Sequence, residues 1–254
     1  PMTIFTGDLK QLQPVLDTAP YTCADNNASP LKLMGKLAYD SIRHHFILDE
    51  SVRQVQDKPF IEMLQQARDG NISEDKFTEW NNRTLLQTGK TFESMLHTDK
   101  ALFLTPTNAR KDKILAKYIQ SATNVVHCQS EANSRFAKSE NPNKQKAGLM
   151  ARVPLMNYFF VGMMVKMTVN VDVKAGLSNG ARGIVKDLYF HGNELQFILL
   201  DMPTYKGKRL HKDLPRTYCL IGKFNMFSSD FKHWRNGFPL QVGKADTIHS
   251  SQGI

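Results

Sequence analysis

The last residues of the chain combine side chains that could bind phosphate groups. They read Thr247-Ile248-His249-Ser250-Ser251-Gln252-Gly253. Short hydroxyl side chains and backbone N–H groups bind phosphate oxygens without reading the sequence of a nucleic acid. A histidine taken alone is more often a buried structural residue, but this one lies among hydroxyl residues. The run therefore predicts that Thr247, His249 and Ser250 contact the phosphates of a single nucleic-acid strand.

A second group of polar residues follows a short apolar run near the amino end. Ile4-Phe5-Thr6 leads into Gly7-Asp8-Leu9-Lys10-Gln11. A buried strand that runs into a polar loop is how a nucleotide-handling sheet presents residues at its carboxyl edge. The Gln11 amide both donates and accepts hydrogen bonds, so it could contact a γ-phosphate or an attacking water. Asp8 is expected to cap or orient the same loop.

Arg53 is a candidate for stabilising charge during phosphoryl transfer. It lies in Leu48-Asp49-Glu50-Ser51-Val52-Arg53-Gln54, before a segment with the apolar spacing of a helix. A guanidinium presented from a second domain can neutralise the charge that builds up on the γ-phosphate oxygens. Arg53 is therefore a candidate arginine finger, which would make hydrolysis depend on domain closure, and the alternative is an ordinary surface arginine in a loop.

Two kinds of element must position these residues. Apolar runs at 2–6 and 101–104 predict buried strands, and helical spacing over 108–120 predicts a helix after the second run. A strand followed by a helix, repeated, favours an α/β layer architecture. After about residue 160 the pattern predicts strands at 161–171, 181–190, 195–200 and 217–224, with His191-Gly192-Asn193 as a hairpin turn.

Further polar residues lie at the ends of these elements. Thr105, Thr107 and Asn108 have the composition of a helix N-terminus, which suits both ordinary N-capping and contact with a phosphate backbone. In the strand-rich half, Lys166 and Arg182 are candidates for contact with DNA.

Several segments, in the same order along the chain, resemble one known family. Residues 7–15, 48–54 and 247–253 resemble motifs III, IV and V of superfamily 1 DNA helicases. Residues 104–108, 162–170 and 179–185 resemble parts of the second motor domain of these enzymes. The resemblance is to the Pif-type and RecD-like 5′→3′ branch, including its Helitron-transposon relatives. Gln13 replaces a proline of the family pattern, and Ser250 replaces a lysine, which removes one cation from motif V.

The resemblance implies an α/β fold of RecA-like P-loop NTPase motor domains. Residues 1–45 would end the first RecA-like domain. Residues 46–165 and 236–254 would form an incomplete second domain, in which helices flank a parallel sheet. Residues 166–235 would form an inserted small β-barrel of the SH3 type.

The resemblance also implies a function and a set of site residues. The enzyme would couple hydrolysis of ATP, with Mg²⁺, to 5′→3′ translocation on single-stranded DNA and to duplex unwinding. It would act as a monomer on single strands and duplex junctions, in the nucleus, the mitochondrion or elsewhere inside the cell, in DNA repair, recombination and telomere maintenance. The residues expected to bind nucleotide are Gly7, Asp8, Gln11, Arg53, Gln252 and Gly253, of which Gln11 and Arg53 would be catalytic. The residues expected to bind DNA are Thr105, Thr107, Asn108, Lys166, Arg182, Thr247, His249 and Ser250.

Two sequence features of such an enzyme do not occur in these 254 residues. There is no G-x-x-x-x-G-K-[ST] phosphate loop, and no acidic pair of the Walker B kind precedes Gly7. We therefore expect a fragment or a gene remnant that lacks most of the Mg²⁺ ligands and does not hydrolyse ATP alone. The alternative function is a catalytically inactive single-strand-binding remnant of a helicase or transposon gene. A nuclease or transposase domain is disfavoured, because the sequence shows no clustered acidic or His/Cys metal set.

Composition agrees with a nucleic-acid partner. The net charge of +9 and the pI of about 9.4 favour polyanions. The basic stretch at 135–152 contains Asn141-Pro142-Asn143, which predicts a loop, either a solvated insertion or a phosphate-contacting one. Three widely spaced cysteines favour buried thiols in a reducing compartment. The apolar runs are too short to cross a bilayer, and the amino end shows no signal peptide.

Overall fold

The computed structural model describes residues 6–8, 19, 29–48, 57–99, 101–133, 150, 152–228 and 232–251. Most of the strand predicted at 2–6 lies outside this part of the chain, as do Gln11, Arg53, Gln252, Gly253 and most of the basic stretch. Contacts divide the chain into two compact units, residues 1–89 and residues 90–254. The domain bounds predicted from the sequence stay a prediction.

The regular structure described in residues 1–89 is helical. It consists of α1 (Pro30–Asp40), α2 (Lys58–Asp69) and α3 (Glu74–Asn81). Helix α2 begins where Asp57 Oδ1 accepts a hydrogen bond from the Phe60 N–H at 3.2 Å. It ends at Gly70, whose φ of 75° lies in the left-handed region that glycine adopts without strain. Both ends of α2 are therefore set by local sequence.

Residues 90–254 combine helices with several small sheets. In chain order the elements are α4 (Phe92–His97), β1 (Phe103–Thr105), α5 (Asn108–Gln120), β2 (Val126–Gln129), β3 (Glu131–Ala132), β4 (Met156–Phe159), β5 (Met164–Met167), β6 (Arg182–His191), β7 (Glu194–Asp201), β8 (Tyr218–Gly222), β9 (Phe224–Phe227), β10 (Trp234–Gly237), β11 (Leu240–Val242), β12 (Ala245–Thr247) and α6 (Ile248–Ser251). The predicted strand at 101–104 and helix at 108–120 are confirmed as β1 and α5.

A short parallel pair carries the α/β part of this unit. Strands β1 and β12 pair in parallel, with Phe103 opposite Ala245 and Thr105 opposite Thr247. Each strand leads into a helix, β1 into α5 after two residues and β12 into α6 without a break. Because the strands are parallel, both helices begin at the same edge of the pair. This is the strand–helix layer that the sequence predicts.

The strand-rich half forms an antiparallel sheet. Its strand order is β11-β5-β6-β7-β8, so β6, β7 and β8 are neighbours both in sequence and in space. The hairpin predicted at His191-Gly192-Asn193 is confirmed: His191 pairs with Glu194, and Gly192 has a φ of 58°. A positive φ in a two-residue loop matches the twist of the strands that it joins.

The predicted SH3-like barrel does not appear as a closed barrel among the described strands. Strands β11 and β8 are the two edges of the five-stranded sheet and do not pair with each other. The chain leaves this sheet after β8, because β9 pairs with β10 in a separate sheet of order β3-β10-β9. The structure confirms that the strands of this segment are antiparallel, but not that they close into a barrel.

The core of this unit lies against the antiparallel sheet. Ile198 and Leu200 of β7 and Val185 of β6 are completely buried. The rings of Phe159 and Phe238 pack edge to face, with centroids 5.5 Å apart. Cys219 of β8 is buried in the same cluster, and burial raises the pKa of its thiol to about 12. In the part of the chain that the structure describes, no helix is long and apolar enough to cross a membrane.

Candidate nucleic-acid interface

The parallel pair brings two distant parts of the sequence to one edge. Thr105, the last residue of β1, is the register partner of Thr247, the last residue of β12. The two segments that follow these strands carry the polar residues predicted to bind phosphate. They therefore start close to each other in space. Thr107 and Asn108 follow β1, whereas His249 and Ser250 follow β12.

The loop after β1 is an N-capping turn. Thr107 is the N-cap of α5, and its hydroxyl accepts a hydrogen bond from the Arg110 N–H at 3.4 Å. Thr105 is buried, and its hydroxyl donates to the carbonyl oxygens of Thr107 at 3.0 Å and Asp246 at 3.4 Å. Thr105 thus holds the loop, while Thr107 and Asn108 are exposed.

The turn after β12 is built from hydroxyl groups. Thr247 Oγ1 donates to Ser250 Oγ at 3.0 Å and accepts from the Ser250 N–H at 3.3 Å. The Ser250 hydroxyl is also hydrogen-bonded to a carboxylate oxygen of Asp246. The side chain of His249 is exposed on the same turn. The turn therefore brings two hydroxyl side chains and an exposed imidazole together, and its hydroxyls hold the turn by hydrogen bonds to each other and to Asp246.

Asp246 is the centre of this site, and the sequence patterns did not single it out. Lys166 Nζ and Arg182 Nη2 each lie 2.6 Å from Asp246 Oδ2. The Thr247 N–H donates to Asp246 Oδ1 at 3.2 Å. The Asp246 side chain is only 4% exposed, and those of Lys166 and Arg182 are 12% and 16% exposed. The two cations predicted to contact DNA therefore meet on a buried carboxylate.

The surroundings of Asp246 keep it ionised. Burial by itself raises the pKa of this carboxyl group. Hydrogen bonds from Lys166 and Ser250, with the charges of Lys166 and Arg182, outweigh burial, so the pKa lies below the ordinary 3.8. Asp246 is thus a carboxylate at neutral pH and pairs with both cations.

The strands around Asp246 explain why these charges meet. Lys166 of β5 and Arg182 of β6 are register partners, so their side chains leave neighbouring strands side by side. Between β11 and β12, the Gly243 N–H donates to Met164 O at 2.8 Å. A Cβ atom at Gly243 would lie 2.7 Å from the carbonyl carbon of Val165. Glycine therefore lets the chain cross close to β5, which brings Asp246 to Lys166.

Lys244 is a second buried charge that the sequence patterns missed. It is 1% exposed, its ammonium group donates to the Thr98 carbonyl, and it lies 5.7 Å from the centroid of the Tyr118 ring. Burial lowers the pKa of Lys244, and the charge of Asp99 opposes this shift. The sequence does contain a signal for both residues, because Lys244-Ala245-Asp246 places charges on either side of a buried strand residue.

The first unit holds two of the predicted nucleotide-binding residues within its described part, Gly7 and Asp8. Asp8 Oδ1 accepts a hydrogen bond from Arg68 Nη2 at 2.8 Å, and both side chains are partly exposed. A side chain at Gly7 would meet only open space, so the backbone there is accessible. The other predicted nucleotide-binding residues, Gln11, Arg53, Gln252 and Gly253, lie outside the described residues. Among the residues that are described, no group of three or more His, Cys, Asp or Glu side chains could hold a metal ion.

Known proteins resemble the chain in both sequence and structure. The ATP-dependent DNA helicase PIF1 of Xenopus laevis is 28% identical over 262 residues, which cover 99% of the chain and 35% of the frog protein. The chain thus spans about a third of the length of this curated relative. No family model matches the chain.

Solved structures of Pif1 helicases share the fold. The Candida albicans Pif1 helicase matches with a TM-score of 0.57 and 21% identity, covering 85% of the chain and 50% of the Candida protein. A double mutant of a Bacteroides Pif1 helicase matches with a TM-score of 0.52 and 20% identity, covering 97% of the chain and 52% of that protein. A Bacteroides Pif1 helicase in complex with ADP-AlF3 and ssDNA matches with a TM-score of 0.50 and 19% identity, covering 81% of the chain and 42% of that protein.

Proposed function

Because the chain belongs to the Pif1-like family of superfamily 1 DNA helicases, we propose that it is part of an ATP-dependent motor that translocates 5′→3′ on single-stranded DNA and unwinds duplexes. The motor acts as a monomer at single strands and duplex junctions. Its setting is intracellular, in the nucleus or the mitochondrion, with roles in repair, recombination and telomere maintenance. The direction of movement and this setting follow from the family resemblance.

The observation that carries the proposal is the shared edge of β1 and β12. Thr107 and Asn108 are exposed at one end of this edge, and the turn that contains His249 and Ser250 is exposed beside it. Such groups hold a phosphate backbone without base specificity, as a motor that moves along any sequence requires. The net charge of +9 adds attraction for DNA. A Bacteroides Pif1 neighbour binds ssDNA, which supports the same role here.

Nucleotide binding completes the proposed motor. Gly7, Asp8, Gln11, Arg53, Gln252 and Gly253 contact ATP, which is used together with Mg²⁺. Gln11 orients the attacking water, and Arg53 stabilises the charge on the transferred phosphoryl group. A Bacteroides Pif1 neighbour binds ADP-AlF3, which supports nucleotide use. Residues 166–235 correspond in this proposal to the inserted subdomain, whose described strands are antiparallel and do not close into a barrel.

A second candidate function is a single-strand-binding module without catalysis. It is favoured by the absence of a G-x-x-x-x-G-K-[ST] phosphate loop from the 254 residues. Both candidates use the same DNA-binding edge, and they differ in whether Arg53 and Gln11 act on ATP.

The two functions are separated by joining the chain to a first motor domain that carries the phosphate loop. We expect this fusion, with the first domain taken from the frog relative, to hydrolyse ATP when single-stranded DNA is added. Arg53→Ala lowers turnover by about 10³ and leaves nucleotide affinity nearly unchanged, because a finger acts on transition-state charge. Arg43→Ala, a matched exposed arginine, is the control. A fusion that folds and binds DNA without hydrolysing ATP contradicts the enzymatic proposal, whereas normal hydrolysis by the Arg53→Ala variant removes Arg53 from the catalytic site.

A further inference from the structure

We propose that Asp246 is a positioning residue for DNA binding: its carboxylate fixes the turn at 247–250 against the antiparallel sheet through Lys166 and Arg182. In this arrangement the two cations act through Asp246 and do not contact DNA phosphates themselves. The inference rests on the proposed function, because its readout is the affinity for single-stranded DNA.

The two oxygens of Asp246 have different tasks. Oδ2 accepts from Lys166 Nζ and Arg182 Nη2, both at 2.6 Å, and so faces the antiparallel sheet. Oδ1 accepts from the Ser250 hydroxyl and from the Thr247 N–H, and so faces the phosphate-binding turn. One carboxylate thereby connects the sheet to the turn. Charge-assisted hydrogen bonds of this kind are about twice as strong as neutral ones.

Burial restricts what the two cations can reach. The side chains of Lys166 and Arg182 are 12% and 16% exposed while they pair with Asp246. The Nε atom of Arg182 is buried without a hydrogen-bond partner in the described part of the chain. A direct phosphate contact would require each cation to leave a buried carboxylate, which would remain uncompensated. The geometry therefore favours a structural role for the charges and leaves DNA contact to exposed groups of the turn such as the His249 imidazole.

The cluster connects two strands of the antiparallel sheet to the turn that follows β12. Lys166 lies on β5, Arg182 lies on β6, and Asp246 lies on β12, whose own pairing is with β1. A shift of the antiparallel sheet relative to the parallel pair would pull on Asp246, and through Oδ1 on Ser250. The position of the turn is thus coupled to the sheet.

The test is a double-mutant cycle on DNA affinity in the full 254-residue chain. Fluorescence anisotropy with a labelled oligothymidine compares the parent with Asp246→Asn, Ser250→Ala and the double variant. We expect Asp246→Asn to weaken binding about tenfold, the effect of losing a hydrogen bond to a charged group. If Asp246 acts through Ser250, the double variant binds no more weakly than Asp246→Asn alone. Loss of stability alone does not produce this coupling, and circular dichroism confirms that each variant is folded.

The salt dependence of binding separates positioning from direct phosphate contact. Lys166→Met weakens binding in our proposal and leaves the slope of log affinity against log salt unchanged. A lysine that contacts a phosphate of a single strand contributes about 0.7 to that slope. Lys186→Met is the matched control, because Lys186 also pairs with an acid on the antiparallel sheet, Asp201 at 3.7 Å, away from the turn. If Asp246→Asn does not fold, Lys166→Met with Ser250→Ala completes the same cycle.

Each result decides one point. Additive losses in the cycle, or a slope that falls by about 0.7 in Lys166→Met and not in Lys186→Met, overturn the positioning role while the DNA-binding proposal stands. A parent chain that does not bind single-stranded DNA at all overturns the proposed function and this inference with it. Coupled losses of affinity in the cycle, together with an unchanged salt slope in Lys166→Met, support both the DNA-binding function and the positioning role of Asp246.

Discussion

The carboxylate of Asp246 is buried and forms ion pairs with Lys166 and Arg182. Its pKa lies below the ordinary 3.8, because hydrogen bonds and opposite charges outweigh the effect of burial. A carboxyl group whose pKa is lower in the folded state stabilises the fold above its unfolded pKa. That contribution is lost as the pH falls through the folded value.

We therefore predict that Asp246→Asn changes the acid stability of the chain. At neutral pH the variant loses about 3 kcal/mol in the free energy of unfolding, since two buried cations lose their partner. Below pH 3.8 the parent loses the contribution of Asp246, so the difference between the two proteins shrinks. Urea unfolding at pH 7 and at about pH 3 measures both differences. A constant difference between parent and variant at the two pH values would show that Asp246 does not hold the charge described here.

Individual site residues could be predicted from sequence only where a motif carries them. Thr247 and Ser250 were predicted from their run, and the structure places both in one hydroxyl turn. Lys166 and Arg182 were predicted as DNA contacts, but their pairing with Asp246 depends on strands that meet only in the folded chain. No local pattern states which charges meet across strands, so Asp246 was missed.

Substitutions on strand β7 test whether the antiparallel sheet packs against the core of residues 90–254. Ile198 is completely buried, whereas its neighbour Phe197 is 49% exposed on the other face. We predict that Ile198→Ala costs about 2 to 5 kcal/mol in the free energy of unfolding, from lost burial and the cavity that remains. Phe197→Ala, the matched control, costs about 1 kcal/mol or less, the size of a cross-strand contact.

Chemical denaturation of the two variants, followed by circular dichroism, checks this prediction. Equal losses in the two variants, or a larger loss for Phe197→Ala, would contradict the assignment of the Ile198 face of the sheet to the core. The same spectra also report whether either variant loses strand content before it unfolds.

Helices and hairpins with strong local sequence patterns were predictable. The closure of the strands into a barrel was not. The capping residues and periodic spacing of α5 and the Gly-containing hairpin between β6 and β7 are local signals. Barrel closure depends on which strand pairs after β8, and in the structure β9 pairs with β10 in another sheet. A family resemblance predicted the barrel, and the strand patterns alone do not specify it.

For the whole molecule, charge and site chemistry predict the same kind of partner. The net charge of +9 attracts a polyanion at long range, whereas the edge of β1 and β12 offers uncharged groups for close contact. Binding should therefore depend on salt and not on base sequence. Strand β1 and helix α5 could be predicted from their local strand–helix pattern, whereas the parallel pairing of β1 with β12 could not, because it joins distant parts of the sequence. The burial of Lys244 and Asp246 beneath that edge could not, because it arises from long-range packing.

The most direct test is a titration of the full chain with single-stranded DNA at two salt concentrations. Fluorescence anisotropy compares an oligothymidine with a mixed-sequence strand, for the parent and for a Thr247→Ala, His249→Ala double variant, with His211→Ala as a control at an exposed histidine outside the site. We predict that affinity falls steeply with salt, that the double variant binds about tenfold more weakly on both strands, and that the control binds as the parent does. Binding that is independent of salt, or a double variant that binds as tightly as the parent, would contradict the assignment of this edge to DNA.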